Sequence, residues 1–249
     1  MLKEERQSHI LIRLEKAHRA TFEELAGELQ VSEDTVRRDI DALAKNGLLT
    51  KVRGGAIVRS LNPFTFQDRE KVYPEGKLII AQKAQRLIKE GQTIFMDGGT
   101  TLCAVALHFP RDLSFRVVTN NQALIGILKG FEKIEVMVLG GILNRATETT
   151  VGAFTCREVK NYLADLYFMG TCAVDSKYGV TAAVREDGEV KQAMLEGSLK
   201  TVALAGQEKL GSTDHFRVCS LDGIDALITD LPNSDPLLKE YKGRDLEII

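Results

Sequence analysis

The sequence predicts a two-part α/β protein: a winged helix-turn-helix domain over residues 1–58, then a Rossmann-like α/β domain with an open, largely parallel sheet over residues 77–249. Residues 21–58 read as two short amphipathic helices, a tight turn between them and a glycine-tipped hairpin. From residue 77 onward, helical patterns alternate with short apolar runs, as in βα units. Between the two, residues 59–76 contain Pro63 and Pro74, many polar side chains and no sustained period. They read as an ordered linker, since Phe64, Phe66 and Tyr73 need somewhere to pack.

Each element of the first part has a local cause. Thr21 with Glu24 three residues on is a capping box. Phe22, Leu25, Ala26 and Leu29 then form one apolar face. Val31 and Ser32 make the turn, and Ser32 is a good N-cap for a second helix whose first turn carries Glu33 and Asp34. Val36, Ile40 and Leu43 are the buried stripe of that helix, leaving Thr35, Arg37 and Arg38 on or beside its outer face. Asn46-Gly47 should stop it. Residues 48–58 read as strand, Gly54-Gly55 turn and strand, with Lys51 and Arg53 on the hairpin.

A second helix with cations near its N-terminus is where double-stranded DNA is read. The expected DNA-binding residues are Ser32, Thr35, Arg37, Arg38, Lys51 and Arg53. Residues 1–59 hold eleven Lys/Arg and ten Asp/Glu, so net charge alone would also fit a module that binds protein. The cations gather on the second helix and the wing, however, while Glu23, Glu24 and Glu28 lie on the supporting helix. So neutral a module binds DNA weakly by itself, and a homo-oligomer, dimer or larger, should supply the affinity.

In the second part a helix over about residues 77–89 leads to seven expected strands, at residues 93–96, 116–119, 135–139, 166–169, 201–205, 226–229 and 246–249. Ligands bind outside the carboxyl ends of such strands. Three polar or glycine-rich sequences fall there: Asp97, Gly98, Gly99, Thr100 and Thr101; Thr119 and Asn120; and Gly140 with Gly141. The first places glycines and hydroxyls at a helix N-terminus, which suits a phosphate or another anion. Strand-to-helix turns also contain such residues for structural reasons alone; three on one sheet edge favour a site.

At 249 residues and 44% hydrophobic, the chain can bury a large core. No apolar run approaches a membrane span and the N-terminus has no signal-peptide pattern, so a cytoplasmic protein without membrane contact is expected. Cys103, Cys156, Cys172 and Cys219 lack a CxxC or His-rich spacing and read as free thiols. No metal site and no cofactor is expected.

The run SEDTVRRD from Ser32, followed by GLLTKVRGGA to Ala56, resembles the DNA-binding module of the DeoR family of bacterial sugar-metabolism regulators. The sequence from Phe66 to about Asp230 is similar to that family's sensor domain, whose fold is like that of ribose-5-phosphate isomerases. The resemblance implies a DNA-binding transcriptional regulator, a repressor in the first instance, whose effector is a phosphorylated sugar or polyol. It also implies that residues 97–101, Thr119, Asn120, Gly140 and Gly141 line the effector pocket. Lys191, in VKQAM, would set its charge against the ligand phosphate or a buried acid, Lys209 would be a retained pocket lysine, and Asp165 and Gly170 match a further family pattern.

The chain departs from that pattern in places. Lys51 and Arg53 stand where Arg and His commonly precede the two wing glycines, and Cys172 and Val174 differ near the pocket. Gly206 in LAGQEKLG replaces an expected Asp, so a carboxylate is lost in or near the pocket. The competing reading is a sugar-phosphate isomerase carrying a DNA-binding module, with Asp97, Asp165, Asp175, Glu186 or Glu189 as base and Lys191 as electrophile. No isomerase constellation repeats in order, and a fused DNA-binding module favours sensing over catalysis.

Overall fold

A computed structural model describes residues 2–17, 19–45, 48–58, 66–242 and 245–249. Helix α1 (Lys3–Ala17) and strand β1 (Arg19–Thr21) precede the helix-turn-helix. Helix α2 (Phe22–Leu29) opens with the expected box: Glu24 N–H donates to Thr21 Oγ1 at 3.1 Å, and Thr21 N–H donates to Glu24 Oε2 at 2.8 Å. The Thr35 amide donates to Ser32 Oγ in the first turn of α3 (Glu33–Lys45). Val36, Ile40 and Leu43 pack with Ile10, Leu14, Leu25 and Leu29 in one small core. Asp39, inside the TVRRD run, also faces inward and accepts from Arg6 Nε at 2.8 Å, so that acid ties α3 to α1.

Strands β2 (Leu49–Val52) and β3 (Gly55–Val58) form the wing, and β1 pairs with the far side of β3. A Cβ at Gly55 would stand 2.1 Å from the Ala20 carbonyl oxygen, so glycine is what lets β1 join the wing. The expected helix stop at Asn46-Gly47, together with Arg59 and Phe64, lies outside the described residues.

Part of the stretch expected to be linker is helical: α4 (Phe66–Lys71), then α5 (Pro74–Ala84) with proline in its first turn. Phe66 is buried, whereas Tyr73 is exposed. There follow β4 (Thr93–Met96), α6 (Thr100–Leu107), β5 (Phe115–Thr119), α7 (Gln122–Leu128), β6 (Ile134–Val138), β7 (Ile142–Asn144), β8 (Thr149–Val151), α8 (Ala153–Val159) and β9 (Leu166–Gly170). The chain continues with β10 (Ala173–Asp175), β11 (Gly179–Ala182), α9 (Arg185–Glu196), β12 (Thr201–Leu204), β13 (Phe216–Cys219), β14 (Ala226–Ile228) and β15 (Glu247–Ile248).

Seven strands form one parallel sheet in the order β15-β14-β12-β9-β4-β5-β6, each within a residue of its expected bounds. Both faces are covered. Ile94 and Met96 pack under α5 and α6, while Phe95 between them packs on the opposite face with Tyr167 and Met194. The hairpin β7-β8 and the small antiparallel sheet β10-β11-β13 were not anticipated. No helix among the described residues is long and apolar enough to cross a membrane.

Candidate functional site

The parallel strands bring the ends of β4, β5, β9 and β12 to one edge, where a cavity of about 190 Å³ opens. Asp97, Gly98, Gly99, Thr100, Asn120, Gly170, Lys191 and Lys209 line it. Gly99 has φ 137°, outside the reach of ordinary side chains, and Thr100 begins α6 immediately after it. The amide end of α6 therefore points at the cavity.

Asp97 and Lys191 form a buried ion pair, with Lys191 Nζ donating to Asp97 Oδ2 at 2.7 Å. The same ammonium donates to the Gly170 carbonyl at 2.7 Å, and the Gly170 amide donates to Asp97 Oδ1 at 2.8 Å. The Tyr167 hydroxyl adds a further hydrogen bond to Asp97. Burial pushes the Asp97 carboxyl upward from its usual range, opposed by the Lys191 charge and by these hydrogen bonds. A Cβ at Gly170 would lie 2.5 Å from the Gly98 carbonyl oxygen and 2.8 Å from Asp97 Oδ1. Of the two roles offered for Lys191, then, the contact is with a buried acid.

Four expected residues are not on the cavity wall. Thr119 is fully buried and its hydroxyl accepts from the Asn121 amide. Thr101 lies deeper, 3.4 Å from Lys209 Nζ, beside a smaller hollow. Gly140 and Gly141 follow β6, the last strand of the sheet, and pack on α8: the Gly140 amide donates to Glu158, and a Cβ at Gly141 would stand 2.0 Å from Thr155 Oγ1. Their glycines serve that close approach, two strands away from the end of β4.

Other wall residues escaped the sequence reading, among them Arg69 on α4, Lys77 on α5, Asp187 on α9, Glu208 and Asp214. The first two sat in or beside a segment read as linker. Arg69 Nε is buried without a hydrogen-bond partner, so a donor is spare at the cavity. The Arg69 carbonyl accepts from Thr100 Oγ1 at 3.4 Å and from Lys77 Nζ, tying the end of α4 to the cavity floor. Burial pushes the Lys77 ammonium down to about 8, helped by the Lys209 charge and opposed by Glu208. Lys209 is also lowered by burial. Asn120 Nδ2 donates to the Thr150 carbonyl at 2.8 Å, which leaves its buried Oδ1 as an unmatched acceptor.

On the winged domain, Arg37 and Arg38 are exposed along α3, and Thr35 is half-buried. Arg37 pairs with Glu33 at 3.2 Å and its guanidinium stands 4.9 Å from the Phe22 ring centroid. Lys51 is paired with Asp41 at 2.5 Å, and Arg53 is exposed beside the wing turn. Ser32 Oγ is engaged in the cap and with the Thr35 hydroxyl. Exposed pairs of this kind hold a side chain by under about 1 kcal/mol, little against a phosphate competitor.

Comparison with known proteins agrees across both parts of the chain. Residues 6–61 match the DeoR-like helix-turn-helix domain and residues 73–231 match the DeoR C terminal sensor domain. The HTH-type transcriptional repressor GlcR of Bacillus subtilis is 36% identical over 94% of this chain and 91% of its own length. The HTH-type transcriptional regulator GlpR of Haloferax volcanii is 35% identical over 92% of this chain and 91% of its own. The glycerol-3-phosphate regulon repressor of Escherichia coli is 28% identical, covering 93% of this chain and 92% of its own length. Ribose 5-phosphate isomerase A of Methanocaldococcus jannaschii overlaps 54% of this chain and 53% of its own at 16% identity and a TM-score of 0.41, too loose to transfer chemistry. With both of its domains matched in order, the chain belongs to the DeoR family of helix-turn-helix transcriptional regulators.

Proposed function

We propose that this protein is a cytoplasmic repressor of a carbohydrate-metabolism operon, released from its operator by a phosphorylated sugar or polyol. The observation that carries the effector reading is the cavity itself, where the start of α6 converges with Arg69, Lys77 and Lys209. A phosphate monoester is dianionic at neutral pH and finds charge and donors there together. Thr100 and Lys77 now donate to the Arg69 carbonyl. A phosphate that takes those donors loosens α4, the first described element after the winged domain. Such coupling requires the effector to prefer one arrangement of the DNA-binding domains over the other.

The test is operator selection from a random duplex pool, followed by fluorescence anisotropy with and without a panel of sugar and polyol phosphates. Release by a panel member supports the reading; operator binding indifferent to all of them would sink it. A homo-oligomer is proposed with it, since two near-neutral modules on paired half-sites reach an affinity that one does not.

The isomerase reading is less favoured because several of its candidate bases are engaged. Asp97 is held by Lys191; Asp165 accepts from the Thr93 amide; Asp175 accepts from the Lys177 and Tyr178 amides; Glu189 pairs with Arg185. We therefore propose that the cavity binds its ligand without turnover. Sustained conversion of an aldose phosphate to the ketose would overturn this.

Two further predictions arise here. Arg38→Ala is expected to cost about 1–3 kcal/mol of operator affinity and relax the preference at one base position. Anisotropy on single-base operator variants checks it, and a weakened salt slope with intact preference would assign Arg38 to a phosphate instead. Effector affinity is expected to fall as pH rises through about 8, where Lys77 of the free protein loses its charge while the phosphate, titrating at about 6, stays dianionic. Lys77→Met should reduce that pH dependence, leaving whatever part belongs to Lys209, which burial also lowers. Calorimetric titrations from about pH 7 to 9 decide it, and a flat wild-type profile counts against Lys77 as a phosphate ligand.

A further inference from the structure

Position 206 was expected to leave the pocket one carboxylate short, and the structure shows what fills the space. A Cβ at Gly206 would stand 2.3 Å from Glu208 Oε2, 2.8 Å from Glu208 Oε1 and 2.9 Å from its carboxyl carbon. The 3-10 turn Gln207–Lys209 folds the Glu208 side chain back over Gly206, so its carboxylate lies where a side chain at 206 would begin. Glu208 lines the main cavity and also the smaller hollow beside Thr101 and Lys77. Its Oε2 is buried and accepts no hydrogen bond among the described residues.

We infer that Glu208, seated through the side-chain-free Gly206, is a specificity-determining carboxylate that accepts a hydrogen bond from a hydroxyl of the effector. The inference rests on the phosphorylated-effector reading and narrows it. A buried acceptor left unmatched is costly, and more so when it is charged. A phosphate dianion has no proton to offer, so it cannot satisfy Glu208 and is repelled by it. Asn120 Oδ1 presents the same demand elsewhere on the cavity wall. Two unmatched acceptors, set against the cations Arg69, Lys77 and Lys209, describe a ligand with an anionic end and a hydroxyl-bearing end. Inorganic phosphate or a simple alkyl phosphate meets only half of that description.

The test uses the full chain and isothermal titration with glucose 6-phosphate, fructose 6-phosphate, glycerol 3-phosphate, sorbitol 6-phosphate and inorganic phosphate. For the panel member that binds wild type most tightly, Glu208→Ala, which leaves no acceptor there, should weaken binding about 10- to 100-fold, while inorganic phosphate binds no more weakly than before. A parallel loss for both would mean general damage to the site and would overturn the inference. The three atoms nearest a Cβ at 206 all belong to the far end of the flexible Glu208 side chain, so Gly206→Ala should fold, displace that carboxylate and weaken the same ligand about tenfold. In a Glu208→Ala background the Gly206 change should add under about twofold, since the two act through one group. Undiminished binding by Glu208→Ala, or full additivity of the pair, would overturn the inference alone. If wild type binds no organic phosphate, the effector reading falls and takes this inference with it.

Discussion

Lys191→Met lowers the stability of the folded chain by about 3–5 kcal/mol, because it strands a buried carboxylate. Asp97 and Lys191 are 1% and 4% exposed, and the ammonium is the charge that offsets burial of the acid. Methionine keeps most of the side-chain volume, so the loss is electrostatic rather than a cavity. The Gly170 carbonyl loses its Lys191 donor in the same change. Urea denaturation of wild type, Lys191→Met and the Asp97→Asn/Lys191→Met double variant measures it. The double variant should be less damaged than the single one, since no lone charge is then buried.

The pH dependence has a definite sign. Burial already raises the Asp97 pKa, and removing Lys191 removes the largest opposing influence, so in the variant it lies higher still above the unfolded value. The folded variant therefore gains from protonation at low pH and loses that gain as pH rises through the raised folded pKa. Its deficit against wild type should shrink on acidification. A variant that denatures like wild type at neutral pH would show the pair to be dispensable.

Thr100→Glu removes one of the two donors to the Arg69 carbonyl, so it is expected to weaken operator binding modestly, and to raise the effector concentration needed for release of the remaining complex by at least about 100-fold. Thr100 is the first residue of α6, and a carboxylate in a first helical turn is favoured by the helix dipole, so the fold should tolerate it. The same carboxylate projects into the cavity where the proposed phosphate sits. Like charges about 5 Å apart at an effective dielectric of about 20 repel by roughly 3 kcal/mol, and a dianion roughly doubles that. Anisotropy of the preformed operator complex, titrated with the released-by ligand of wild type, reads the shift. Thr100→Ser, which keeps the hydroxyl, should respond as wild type does. Release of Thr100→Glu at the wild-type concentration would remove the α6 N-terminus from the effector site.

The capping box, the turn at Ser32, the stripe Val36-Ile40-Leu43 and all seven strands of the parallel sheet were legible because each depends on neighbours in the chain. A strand buried on both faces needs an unbroken apolar run, as in Thr93–Met96, and that run is visible without any partner. The antiparallel strands β10, β11 and β13 were not legible, being short and stabilised by pairing across residues 173–219.

The site divided along the same line. Asp97, Gly98, Gly99, Thr100 and Asn120 announce themselves as polar and glycine residues at strand ends, and the parallel sheet brings them to one edge. Gly140 and Gly141 carry the same local signature, yet strand order puts β6 at the margin of the sheet, where they pack on α8. Arg69 and Lys77 reach the cavity only because α4 and α5 fold onto α6. Asp97 meets Lys191 across 94 positions of sequence, through the adjacency of β4 and β9 and the placement of α9. Local periodicity and capping were therefore enough for the parallel sheet, the helix-turn-helix and the order of the two parts, while the family was legible only through the resemblance carried by SEDTVRRD and the wing that follows it. Which charges are locked together, which face the cavity, and that Glu208 occupies the room left by Gly206 depended on long-range packing. Those relations are set by strand order and by the exclusion of one side chain by another, and neither leaves a mark in the local sequence.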